Sequence, residues 1–538
     1  MELTRREALA ALGTAAASLA FGSGGCTTKK RAITGKIVGG SDARGHRIRD
    51  GISQLASPVP SAEIVILGGG VAGLSAAWKL LKSNRHDFVL LELEDSLGGT
   101  AVSGSNAICE YPWGAHYIPV PTREQRTLCE LLLEMNIIKN FDAAGRAVPA
   151  EQHLCRAPEE RLFYRGEWSE GLYLRAGASA DDLQQFERFE SNVRLLAKRT
   201  GNDGKRAFTI PIANCSVDPE LRSLDRLSMA QWLESNNYNS PRLKWYIEYA
   251  CRDDFGSLLG ATSAWAALHY FCSRVSDGEY DAAEFLTWPE GNGFIIKYLN
   301  KLVGSRSRPG CAVYQIENVQ DSVKVKYFDF RDETAKEIIT KRVICALPSF
   351  AVRRLFAPAA ADRAHFNYAP WAVANLSLDS EPESRGFPIC WDNVLYESES
   401  LGYVVATHQL DRLAKDSVWT WYRPYCEQNA STVRAQMLTF DFEHYKNAVI
   451  TDLVRAHPRL DRHITNIDVW RWGHAMIRPE PEFLFHRTRE RAAKPIGNIH
   501  FAAADLGGLP LFEEAQWAGV RAAEEVLQAF GAAFSSSL

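Results

Sequence analysis

The stretch EIVILGGGVAGLSAAWKLL, from Glu63 to Leu81, constrains the fold more than any other part of this chain. Glu63–Leu67 is a short apolar run suited to a buried parallel strand. Gly68-x-Gly70-x-x-Gly73 follows at once, and Val71 to about Leu81 reads as a helix. A second strand, FVLLE, ends at Glu92. Gly68 permits a tight turn, Gly70 lets the backbone approach a pyrophosphate, and Gly73 lets the helix pack closely on the strand. The helix N-terminus, at Val71, Ala72 and Gly73, turns unpaired N–H groups and a positive dipole end towards the phosphates. Glu92 stands where an acid grips ribose hydroxyls. Glycine-rich turns alone are common, but strand, glycines, helix, strand and acid in this order point to a dinucleotide.

The rest of the composition is permissive. A chain of 538 residues with 46% hydrophobic content can bury a large core, enough for roughly two to four domain-sized units. Lys and Arg number 61 against 65 Asp and Glu, so nothing predicts a nucleic-acid partner. The 14 tryptophans suit a pocket for a flat organic ligand as well as a core. The 11 cysteines are scattered without a C-x-x-C pair, which argues for buried thiols and against a zinc site or a disulfide scaffold. No metal site is expected.

Residues 1–26 read as an address. Thr4-Arg5-Arg6 precedes an apolar run from Ala8 to about Phe21 that is short for a membrane span. It resembles a twin-arginine export signal, implying a periplasmic or cell-envelope location. Cys26 follows SGG where a lipoprotein signal would be cleaved and acylated, although Ser23 stands where Leu is usual. A lipid anchor at Cys26 and a free cut end both fit. Residues 27–60 are polar and dotted with glycine, as in a tether or a surface-wrapping arm.

The residues after Glu92 separate one dinucleotide from another. Gly98-Gly99 so soon after the acid resembles the E-x-x-x-x-x-G-G segment of the flavin amine oxidase superfamily. That group includes monoamine and polyamine oxidases, protoporphyrinogen oxidase and phytoene desaturase. Thr100 and Glu94 depart from its pattern, where Arg and a basic residue are usual. YPWGAHYI (Tyr111–Ile118), RVICALP (Arg342–Pro348) and AAADLGG near the C-terminus resemble its later segments. The resemblance implies a resident FAD held by Gly68, Gly70, Val71, Ala72, Gly73, Glu92, Gly98, Gly99 and Thr100. It implies an adenine contact at Ile316 or Glu317, a ribityl or pyrophosphate contact at Asp505, and a helix N-terminus near Glu513 aimed at the flavin. The stretch Trp472–Asp505 has no Cys, so the FAD is expected to be non-covalent.

The implied architecture is α/β. A Rossmann-like FAD domain, a parallel sheet with a β-meander, gathers residues 61–120, 288–350 and 470–530. A discontinuous α+β substrate domain takes 121–287, helix-rich by periodicity, and 351–469, with strand-like runs. The shared chemistry is hydride removal from a small organic substrate, with O2 or a quinone as acceptor. A flavoprotein passing electrons to a partner protein, or a polyene or porphyrinogen desaturase, is the alternative. Arg354 falls where amine oxidases place a Lys, and Leu511 where they place one Tyr of an aromatic cage. His474 and Trp472, in VWRWGHAMIRPEPEF, are the expected substrate-side contacts, with His116 similar and Trp288 and Trp391 assigned to the core.

Overall fold

The computed structural model describes residues 32–40, 42–143, 145–274, 284–410 and 415–538. The twin-arginine stretch, its apolar run and Cys26 lie outside them. An arm comes first, with β1 (Thr34–Gly39) and α1 (Asp42–Asp50). The strand–turn–helix unit follows as β2 (Ile64–Leu67), α2 (Val71–Lys82) and β3 (Phe88–Leu91). After a long excursion the chain returns through helix Gly293–Val303 and strand Ser307–Arg308. It then forms a meander, β4 (Cys311–Val319), β5 (Ser322–Asp329) and β6 (Thr334–Thr340), and passes into β7 (Arg342–Cys345). A second excursion holds β8 (Tyr368–Leu378), β9 (Ser417–Pro424) and β10 (Ile464–Ile477). The chain closes with β11 (Ile499–Phe501) and α3 (Phe512–Ala529).

Five parallel strands make the first sheet, in the order Ser307–Arg308, β3, β2, β7, β11. All four residues of β2 are buried, as a parallel sheet covered on both faces requires. Successive side chains point to opposite faces, and the packing divides accordingly. Ile64 and Ile66 join Leu74, Trp78 and Val520 of α2 and α3. Val65 and Leu67 join the cluster that holds Val313 and Val325 of the meander. Gly519 lets α3 lie directly on α2, since a Cβ there would stand 2.1 Å from the Ala72 carbonyl oxygen.

The second domain is built on an eight-stranded sheet. Its order is β1, β10, β8, β9, Tyr403–Val405, Asp392–Leu395, Glu160–Tyr164, Glu167–Glu170. All eleven residues of β8 are buried. Helices Ala180–Lys198, Pro241–Phe255 and Ala264–Ser273 form the helical part, and Tyr249 joins Trp371 and Val373 of the sheet in one cluster. The fold is thus the expected mixed α/β architecture with a separate second domain. The borders differ in detail. β10 runs to Ile477, so the chain leaves this sheet later than residue 470. Residues 160–170 also supply two strands from the block read as helix-rich. The ten described cysteines are free thiols. Among the described residues no helix is long and apolar enough to cross a membrane.

Candidate active site

The glycine loop sits at the carboxyl edge of the parallel sheet. α2 begins at Val71 with no side-chain cap on Gly70. The first intrahelical bond runs from Leu74 N–H to the Gly70 carbonyl, which leaves the N–H groups of Val71, Ala72 and Gly73 for a ligand. A Cβ on Gly73 would stand 1.9 Å from the Gly68 carbonyl oxygen, so only glycine lets helix and loop meet. A Cβ on Gly70 would meet only Gly99 Cα at 3.8 Å, which marks open space in front of the loop. Gly98 and Gly99 have φ of +138° and +57°, and this second loop docks on the first through a Gly98 N–H bond to the Gly69 carbonyl of 2.8 Å. Glu92 accepts from the Gly69 and Glu94 N–H groups at 2.6 and 2.8 Å. Burial raises its pKa, against the pull of those bonds.

A second set of groups faces the cradle from β11 and α3. Asp505 Oδ2 accepts from Ser349 N–H at 2.7 Å and from the Tyr368 hydroxyl. Its Oδ1 is buried with no partner. α3 also starts without a side-chain cap, at Phe512, so Glu513 lies in a first turn with open N–H groups. Two uncapped helix ends, an orphaned buried carboxylate oxygen and a space that a single Cβ would enter fit a long diphosphate cofactor such as FAD. Ile316 lies elsewhere. Cys311 N–H bonds the Glu92 carbonyl at 2.7 Å, so β4 passes Glu92 at Cys311–Val313. Ile316 is about 15 Å further along the strand, with its side chain in the core.

Between the cradle and the second domain lies a cavity of about 140 Å³. Thr100 and Gly114–Tyr117 form one side, Trp371, Tyr422, Trp472 and Met476 another, and Leu511–Glu513 a third. Tyr422 stacks on His116 at 5.0 Å and donates to the Gly114 carbonyl at 3.0 Å. Burial holds the His116 pKa down to about 4, so the ring is neutral.

The polar lining is acidic. Asp253 is pushed up to about 7 by burial and by Asp254. Arg274 pairs with Asp254 through Nη2 at 2.8 and 2.9 Å, while its Nε and Nη1 have no partner. Glu513 Oε1 is buried without a partner, and burial lifts this acid to about 7. Arg274 is shared with an outer vestibule of about 360 Å³ that also holds Arg175, Glu159, Glu160, Glu170 and Glu190. Glu160, at the mouth of the vestibule lining, is raised to about 7 by desolvation and by Glu159. Asp392 is raised by burial and then by Asp253 and Glu160, and the Tyr249 hydroxyl lies 3.4 Å from it.

Of the expected substrate-side residues, Trp472 and His116 line the cavity, and His474 and Arg354 do not. β10 carries two extra residues where Trp472 and Met476 pair with Trp371 and Ala369. This bulge turns His474 out of the wall and onto Phe350, 4.0 Å away. Burial and Arg434, Arg354 and Arg353 lower the His474 pKa to about 3. Arg354 is exposed in the last turn of helix Ser349–Leu355. Trp288 and Trp391 are buried as expected. Sequence reasoning missed Asp253, Asp254 and Arg274. One signal was present: Asp253 and Asp254 sit in the last turn of Pro241–Phe255, where the helix dipole disfavours anions.

Residues 71–527 match the profile of a protein family described as flavin containing amine oxidoreductase. Among solved structures, putrescine oxidase bound to putrescine aligns with a TM-score of 0.64 at 16% identity, over 88% of this chain and 100% of its own. Cyclohexylamine oxidase from Brevibacterium oxydans IH-35A aligns with a TM-score of 0.62 at 14% identity, over 88% and 100%. No curated protein matches the chain in sequence.

Proposed function

Because the chain belongs to the family of flavin-containing amine oxidoreductases, we propose that it oxidises a small organic amine held in the cavity beside the glycine cradle, with O2 or a quinone as acceptor. Bound FAD supplies the hydride acceptor, its N5. The residues of this chain bind, orient and exclude water. Trp371, Tyr422, Trp472 and Leu511 present apolar surface to the C–H bond that breaks. The carboxyls receive the cation.

The observation that carries this reading is charge imbalance. Asp253 and Glu513 line the cavity with one guanidinium, Arg274, which is already paired with Asp254, and Asp392 lies within reach of Asp253 and Glu160. Asp253, Glu513, Asp392 and Glu160 are each displaced upward by desolvation, and a cation alongside would stabilise the ionised form. The four glutamates of the vestibule outnumber its two arginines, Arg175 and Arg274, and attract the same charge from solvent. Putrescine and cyclohexylamine, the compounds for which the two solved relatives are named, are ammonium ions at neutral pH.

Anaerobic mixing of the yellow protein with amines, polyamines and polyenes tests the reading. An amine bleaches the flavin. Bleaching by polyenes alone, or by nothing in the panel, removes the amine assignment. Acid precipitation of the same preparation releases the colour into the supernatant, as non-covalent FAD requires; colour kept in the pellet means a covalent bond.

We also place the protein in the periplasm or cell envelope, on the strength of Thr4-Arg5-Arg6 and the apolar run after it. Cell fractionation decides this. Changing Arg5 and Arg6 together to Lys retains the protein in the cytoplasm, and unchanged export overturns the placement.

A further inference from the structure

The arm ahead of the family-matching stretch touches both halves of the site. β1 pairs in parallel with β10, Thr34 opposite Asn466 and Gly39 opposite Trp470. It therefore forms the outer edge of the sheet that walls the cavity. At Gly39 the approach is close: a Cβ would stand 2.0 Å from the Trp470 ring. Trp470 stacks on Trp472 at 5.0 Å and 23° and lies 5.5 Å from Trp113. The Trp472 indole donates to the Trp113 carbonyl at 2.7 Å, and Trp472 faces the cavity. The contact thus runs from the arm through one indole to the cavity wall.

The other end of the arm reaches the cofactor side. Arg44 on α1 donates to the Leu93 carbonyl at 3.0 Å and pairs with Asp95 at 2.9 Å. These residues form the turn that directly follows Glu92, and Gly310 N–H bonds the Glu94 carbonyl in the same turn at 2.8 Å. Arg47 anchors the helix by lying 4.2 Å over the Phe328 ring and pairing with Glu333 at 2.6 Å. Asp42 meets Arg471, next to Trp470, at 3.3 Å.

We propose that residues 34–40 and 42–50 are a positioning element of the active site, in which Gly39 sets Trp472 against the substrate and Arg44 sets the turn beside the expected ribose acid Glu92. Neither residue touches a reacting group. Gly39 acts through Trp470 because no side chain separates the arm from the indole, so the ring stack takes its place from the arm backbone. Arg44 acts through the Leu93 carbonyl, which pins the backbone that presents Glu92. The substrate half of this inference rests on the amine-oxidising reading; the cofactor half does not.

Two variants of the full-length holoprotein separate the ends. Gly39→Leu pushes Trp470 against Trp472. It raises KM about tenfold for the amine found by anaerobic mixing, because the displaced indole no longer matches the bound substrate in ground state and transition state alike. It leaves kcat within about twofold and FAD affinity unchanged, and it alters the near-ultraviolet circular dichroism of the stacked indoles. Arg44→Ala weakens FAD about five- to tenfold, the loss of a charge-assisted bond, with KM unchanged; Arg44→Lys recovers part of it. Should Gly39→Leu fail to fold, Gly39→Ala gives the same readings on a smaller scale, because its methyl also overlaps the ring. The proposal is overturned if the glycine variant keeps both KM and the indole signal. It is equally overturned if both variants shift KM and FAD affinity together in proportion to a lower Tm, the mark of a plain buttress. If no amine reduces the flavin, the amine reading fails by itself, and the indole signal and FAD affinity still decide the arm.

Discussion

Gly70→Val yields a folded protein without colour. The reason is the asymmetry between two glycines three residues apart. Gly70 has an extended backbone, with φ of −75° and ψ of −175°, which valine adopts freely. Its added Cβ would meet only Gly99 Cα at 3.8 Å, so the apoprotein loses no more than about 1 kcal/mol, the cost of a poorer helix N-cap. The valine methyls instead enter the space before the free N–H groups of Val71, Ala72 and Gly73, where a pyrophosphate must come close. FAD affinity falls about a thousandfold, ~4 kcal/mol, and the purified protein lacks the visible flavin bands. Gly73→Ala behaves in the opposite way. Its Cβ would lie 1.9 Å from the Gly68 carbonyl oxygen, so the apoprotein itself loses about 1–3 kcal/mol to overpacking. Thermal melts of the two apoproteins beside FAD titrations check the pair. A Gly70→Val protein that binds FAD normally would remove the loop from the cofactor site.

Asp253→Asn lowers kcat/KM for a cationic amine about 30- to 100-fold, ~2–3 kcal/mol, while FAD stays bound. Asp253 is an enclosed acid facing the cavity, raised from 3.8 to about 7 first by burial and then by Asp254. Below neutrality it is protonated and attracts no cation, so affinity for a protonated amine rises as pH increases through about 7. In the Asn variant that rise is shallower, and what remains comes from Glu160 and Glu513. Stability moves the other way. The folded-state pKa lies above the unfolded one, so between these two values the native protein holds a proton that the unfolded chain has released. Stability therefore falls as pH rises across that window. Asn removes this contribution, and the variant melts higher than the unaltered protein at pH above 7 while binding substrate less well. Initial rates across pH and melts at two pH values measure both effects. A variant with unaltered kcat/KM excludes Asp253 from substrate binding.

The cofactor half of the protein was visible in sequence because its determinants are local. Gly68, Gly70, Gly73 and Glu92 fall within one strand–helix–strand unit, where spacing alone carries the geometry. Asp505 is remote in sequence, yet it follows a short apolar strand that ends at the same sheet edge. Ile316 shows where local reading stops. The alternation of β4 says which residues are buried but not where the strand crosses Glu92, and that crossing falls at Cys311–Val313. His474 shows the same limit. A period of two places it on the face of Trp472, and a bulge in β10 that no spacing announces turns it away.

By itself the sequence determined a dinucleotide cradle, the order of the segments that build it, and an α/β fold with an interrupted first domain. The tertiary structure alone decided the substrate side. Asp253 comes from a helix C-terminus, Asp392 from a sheet strand, Glu160 from the strand beside it, and Glu513 from the start of the last helix. The physical reason is that a phosphate cradle is made by consecutive backbone N–H groups, whose geometry follows from local conformation. A cation pocket is made by side chains whose only relation is that the folded core brings them together.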